Sequence, residues 1–123
     1  MGGTSITSEA TTSRIKSLLK IGDEHTIRFP LVEPQVESLN LDKWLPRLDW
    51  IIQGGESGRA ARPFEIEWAE ELIDACATHG VAYFLKQLGS HVIRDEKRVT
   101  FDDAHAGDWD EWPERLRIRE MPK

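Results

Sequence analysis

At 123 residues the chain has the length of one domain and can bury a core without staples. It is 39% hydrophobic and 31% charged with net charge −6, from 16 Lys+Arg against 22 Asp+Glu, which argues against broad binding to a phosphate backbone and sets nucleic acid aside as an expected partner. The single thiol, Cys76, excludes an internal disulfide, no Cys/His cluster has metal spacing, and no apolar run approaches the roughly 20 residues that span a bilayer.

The N-terminus lacks a charged-then-apolar signal pattern, so the expected setting is the cytoplasm, without a membrane partner. Thr4–Thr7 predicts a first strand, with Glu9 at its C-terminal end. This early start suggests that something normally precedes the chain. Thr11 or Thr12 is suited to cap a helix running to about Lys20, with Ile15, Leu18 and Leu19 on one stripe. Gly22 suits the left-handed position that ends it. Thr26–Val32 reads as the second strand, although Pro30 cannot donate to a ladder, and it runs into Glu33-Pro34. A short helix near Leu41–Leu45 carries Trp44.

Trp50–Gln53 predicts a third, buried strand that breaks into Gly54-Gly55-Glu56-Ser57-Gly58. A helix over about Glu65–His79 follows, with Ala69, Leu72, Ile73 and Cys76 at helical spacing and Gly80 closing it. Val81–Leu85 is the fourth strand and ends at Lys86-Gln87. His91–Arg94 and Arg98–Phe101 read as a hairpin around Asp95-Glu96. In the tail, Leu116 and Ile118 alternate with arginines as an edge strand would, and the tryptophans are expected as core and tail anchors.

Strand and helix patterns alternate, so the fold class is α/β: a partial (β/α) barrel or open parallel sheet of about four strands with a C-terminal β-rich tail. Residues 1–90 form the core and residues 91–123 a hairpin and tail packed on the same domain.

Ligands of such sheets bind at the C-terminal ends of the strands, where the loops converge. Glu9, Glu33, Glu56 and Lys86-Gln87 each fall at such an end, which makes them the candidate ligand-binding residues together with Gly54, Gly55, Ser57 and Arg62. Carboxylates there can bind a hard cation, hold an amine, or act as acid and base. The competing reading is that these glutamates are solvated loop residues or pair with Arg59, Arg62 and Lys86. The glycine loop fits no phosphate-loop or dinucleotide fingerprint and reads first as a structural turn. Cys76 on the apolar helix face reads as a buried structural thiol.

Several stretches carry a resemblance: Gly3-Thr4-Ser5 with Glu9, Glu33-Pro34, Asp49-Trp50-Ile51-Ile52, Gly54–Gly58, Ala61-Arg62-Pro63, Trp68, Cys76, Phe84-Leu85-Lys86-Gln87, and Trp109–Pro113. With these the chain resembles the C-terminal half of an uncharacterised bacterial and bacteriophage family, known only as phage-type proteins of unknown function. Full-length members begin with a three-cysteine segment like that of radical S-adenosylmethionine enzymes. The resemblance implies a partial barrel with Glu9, Glu33 and Glu56 at its mouth. This chain has only Cys76, so the cluster cannot be held by it alone.

Three functional expectations follow. The first is a ligand-binding or non-catalytic remnant or subunit of that radical-enzyme-like family, its cofactor undefined. The second is a metal-assisted enzyme using Glu9, Glu33 and Glu56 on a phosphorylated or nucleotide substrate. The third is an interaction subunit that completes a barrel with a partner. Exposed sheet edges predict a homodimer or partner-bound subunit.

Overall fold

A computed structural model describes residues 2–7, 11, 13–20 and 27–122. In chain order it contains β1 (Gly2–Ser5), α1 (Ser13–Leu18), β2 (Arg28–Val32), β3 (Trp50–Gly54), β4 (Phe64–Glu65), α2 (Ile66–His79), β5 (Ala82–Gln87), β6 (Val92–Arg94) and β7 (Lys97–Val99). β1, β2, β3 and β5 form a wholly parallel sheet in that spatial order. Consecutive parallel neighbours require crossovers, and α2 supplies the one from β3 to β5. The α/β expectation thus holds at the level of a four-stranded parallel sheet beside a second, smaller sheet.

Several boundaries differ from the sequence reading. β1 covers Gly2–Ser5 rather than Thr4–Thr7, because Thr7 turns away and donates its N–H to the Thr11 hydroxyl at 3.1 Å. α1 ends at Leu18, and the proposed cap at Gly22 lies outside the described residues, as does Glu9. Pro30 does sit inside β2, opposite Thr4 of β1. The paired residues of β2 and β3 are only Leu31 with Ile52 and Val32 with Gln53, so that ladder starts just past the proline. Between β2 and β3 the expected helix is a 3₁₀ turn at Leu45–Arg47.

β3 is apolar on both faces, as a central parallel strand must be. One face meets α2, whose Trp68, Ala69, Leu72 and Cys76 are buried against it. The other carries an aromatic row, Phe29–Trp50–Phe84, with ring centroids 5.1 and 6.2 Å apart. Phe29, Ile52 and Phe84 are only half-buried on that side. α2 ends as predicted at Gly80, whose φ of 68° is the left-handed conformation.

The second sheet was only partly foreseen. β6 and β7 form the expected hairpin, turned by Asp95 and Glu96, both at positive φ (51° and 67°). β4, a two-residue strand directly after Pro63, pairs parallel with β6. Phe64 of β4 is fully buried and packs edge-on against Trp68 at 5.5 Å.

The tail is not a regular strand. It makes two 3₁₀ turns, Trp109–Glu111 and Glu114–Leu116, and then one antiparallel bridge between Arg119 and Phe84. Leu85 N–H donates to Ile118 O and Glu120 N–H to Tyr83 O, at 3.0 and 2.8 Å, so the tail covers the outer edge of β5. Arg119 clasps it there. Its guanidinium lies 5.2–5.7 Å from the ring centres of Trp112, Phe84 and Trp109 and donates to the carbonyls of Leu85, Lys86 and Gly107. Trp112 is buried, but Trp109 is 40% exposed and serves the arginine rather than the core.

Candidate functional site

The C-terminal edge of the sheet is assembled by backbone contacts before any charge is considered. Gln35 N–H donates to Gly54 O at 3.0 Å, pulling the chain after β2 onto the end of β3. Gly55 N–H donates to Gln87 O at 3.1 Å, and the Gln87 side-chain amide returns a bond to Gly55 O at 3.0 Å. This reciprocal pair locks β3 to β5 where their register shifts. A side chain on Gly55 would place its Cβ 2.2 Å from the carbonyl oxygen of Leu88, so the residue must be glycine.

Glu33 and Lys86 end strands that are not neighbours, since β3 lies between β2 and β5. Their side chains nevertheless meet, Nζ to Oε1 at 3.1 Å. Glu33 crosses over Gly54, where an added Cβ would sit 3.3 Å from Glu33 Cγ. The glycine therefore leaves room for the crossing. The Lys86 side chain is 55% exposed and that of Glu33 20% exposed, so the pair faces solvent.

Glu56 makes a separate arrangement. The Arg62 guanidinium bonds both of its oxygens, Nε to Oε1 at 3.1 Å and Nη2 to Oε2 at 2.8 Å. Arg62 backbone N–H adds a third bond at 2.9 Å. The hydrogen bond from the Arg62 side chain, then that from its backbone, holds the Glu56 carboxyl down at about 2. Arg62 is raised in return. A carboxylate so held is ionised at neutral pH and is a poor general acid. Ser57 is exposed in the following turn. The N–H groups of Gly55 and Gly58 are already engaged, by Gln87 O and Ser90 Oγ, which favours a structural turn over a phosphate cradle.

The predicted residues thus fall into two pairs, Glu33–Lys86 and Glu56–Arg62, with Gln87 binding backbone. Among the described residues no group of three or more His, Cys, Asp or Glu is arranged to hold a metal ion. Cys76 is buried and its thiol is pushed up to about 12, chiefly by burial, which leaves it unreactive.

Sequence reasoning missed a buried relay behind this edge. Gln53, fully buried on β3, donates from Nε2 to Gln35 Oε1 at 2.6 Å and to Trp68 O at 3.3 Å. Its Oε1 accepts from the Tyr83 hydroxyl, and Gln35 Nε2 passes on to Glu37 O at 2.9 Å. Burial holds the Tyr83 hydroxyl proton far above its ordinary range. The available signal was one amide within the apolar run Trp50–Gly54. Beyond the relay, a cleft of about 600 Å³ runs along α2, floored by Val32, Leu41, Trp68 and Leu72.

Comparison with curated proteins and with solved structures gave no match. Among known families, residues 1–113 match the one described as a protein of unknown function (DUF5131), and the chain belongs to that family.

Proposed function

We propose that the C-terminal edge of the four-stranded sheet is a ligand-binding site, and that the chain is a non-catalytic binding counterpart of radical-enzyme-like, phage-type barrels. The site comprises Glu33, Gly54, Gly55, Glu56, Ser57, Arg62, Lys86 and Gln87, with Glu9 included on sequence alone. The observation that carries the reading is the solvent-facing Glu33–Lys86 pair, joined across β3 at 3.1 Å. Such a pair is matched by a ligand bearing both an amine and a carboxylate, which replaces each partner with its own opposite charge. The consecutive strand order, as in an arc of a barrel, supports the family-level part. One-to-one pairing of Glu33 and Glu56 with cations favours binding over the metal-assisted alternative.

The test is a thermal melt of the chain with S-adenosylmethionine, free methionine and divalent cations. A ligand that binds only the folded state stabilises it by about 2.7 kcal/mol at a hundredfold excess over its Kd. The expected result is a rise with the amino-acid-bearing ligands that disappears in Lys86→Met, whose unliganded melt stays unchanged. A rise with metal ions alone would return the enzyme reading to first place. No rise with any of them would end the binding proposal.

A second reading rests on the sheet's unequal edges. The tail covers β5, whereas among the described residues no strand pairs with the outer edge of β1. We infer a partner subunit or second copy pairing at β1 and covering the half-buried aromatic face. A strictly monomeric native mass at high concentration would refute it.

A further inference from the structure

We propose that a groove between the turn at Gly58 and the loop at His105 is a binding site for a small phosphorylated ligand. This inference does not depend on the ligand site at the strand ends. The groove is about 380 Å³, within the range of small-molecule sites. Arg59, His91, Arg98 and His105 line it, arriving from four separate points of the chain. No carboxylate is among the described residues lining it, although the chain as a whole carries −6.

The walls are fixed in place. Ser90 Oγ accepts from Gly58 N–H at 2.9 Å and donates to Ala104 O at 2.8 Å, tying one wall to the other. Gly89 N–H donates to His105 O at 2.9 Å, and Ser90 N–H to Glu56 O at the same length. The cationic side chains, by contrast, are largely uncommitted. Arg59 is exposed and makes no ion pair or hydrogen bond with any described residue. Arg98 spends one nitrogen on Ser90 O at 3.3 Å. Arg62, close by in sequence, is consumed by Glu56 and stands outside the groove.

The local acid is also accounted for. Asp103, two residues before His105, turns its carboxylate to the backbone N–H groups of Gly107, Asp108 and His105 at 2.7, 3.1 and 3.4 Å. It is satisfied without drawing on either arginine. Two guanidinium forks and two imidazoles on a rigid frame suit the several acceptor oxygens of a phosphate. The groove's volume of about 380 Å³ suits a compact phosphate ester, and the chain's net charge of −6 disfavours a polynucleotide.

The test is calorimetric titration of the full chain with inorganic pyrophosphate and with ADP, beside a single-stranded oligonucleotide. Wild type should bind pyrophosphate and ADP, and the oligonucleotide more weakly. Arg59→Ser and Arg98→Ser should each weaken ADP binding about tenfold or more. Lys16→Ser, which removes the same charge from exposed α1 surface, should leave it unchanged. Arg59 holds nothing in the fold, so its variant decides the matter even if Arg98→Ser is less stable. The proposal is overturned if wild type binds neither probe, if Arg59→Ser binds as wild type does, if Lys16→Ser loses as much, or if the oligonucleotide binds tightest.

Discussion

Two polar systems lie within a few residues of each other and obey opposite rules. The relay of Tyr83, Gln53 and Gln35 is buried, and its donors and acceptors are matched inside the protein. The pairs Glu33–Lys86 and Glu56–Arg62 face water. In the relay, removing one group strands its partners where no water can replace it. At the edge, solvent re-solvates whatever is left behind. The fold therefore depends most on the uncharged groups and least on the exposed Glu33–Lys86 pair.

Gln53→Leu should be the most damaging change, because it orphans the Tyr83 hydroxyl and Gln35 Oε1 together and removes the extra bond to Trp68 O, which keeps its helical partner. At about 1–3 kcal/mol for each stranded buried group, the loss in denaturant unfolding should be about 2–6 kcal/mol. A loss below about 1 kcal/mol would show that the relay is not a fully desolvated unit. Tyr83→Phe keeps the ring and strands only Gln53 Oε1, so about 1–2 kcal/mol is expected by the same measurement.

Gly55→Ala asks whether the edge is soft throughout. Its Cβ would meet Leu88 O at 2.2 Å, so backbone must move, and a cost of about 1–3 kcal/mol is expected. A neutral result would mean that β3 and β5 are loosely joined at their ends. Lys86→Met should cost less than about 1 kcal/mol, in keeping with an exposed pair.

Glu56→Gln sharpens the contrast through pH. The folded carboxyl is held at about 2 against an ordinary 4.5, so its contribution is present above 4.5 and lost as pH falls towards 2. The stability difference between wild type and Glu56→Gln should be visible at neutral pH and vanish over that acid window. A difference that grows with acid would assign Glu56 some other role.

The regular elements were legible where period and length agreed. α2 has an apolar stripe over 14 residues and a closing glycine, and it was read to within one residue at its start. β3 and β5 stood out as apolar runs. β4 was not legible, since two residues after a proline carry no period, and only its pairing with β6 makes it a strand. Arg115, Arg117 and Arg119 read as one alternating set. Yet Arg115 pairs with Asp74 on α2 at 2.8 Å, Arg117 donates to Asp110 O, and Arg119 sits among three rings.

At the candidate site the strand ends located Glu33 and Lys86, but their meeting is a contact across 53 positions and over an intervening strand. No local pattern encodes that. The buried relay was hidden for another reason. Gln35 looks like a loop residue, and only the fold reveals that it is 3% exposed and bonded to β3.

The tail that folds back along β5 sets a limit on how copies of this sheet can join. With one rim occupied by the chain's own residues 118–120, the β1 rim is, among the described residues, the one left for pairing through the four-stranded sheet. Two copies meeting there by a two-fold axis would make one continuous sheet whose two outer rims are both already filled. Through this sheet such a union is finite: it terminates at two, which separates orderly association from fibre growth by that route.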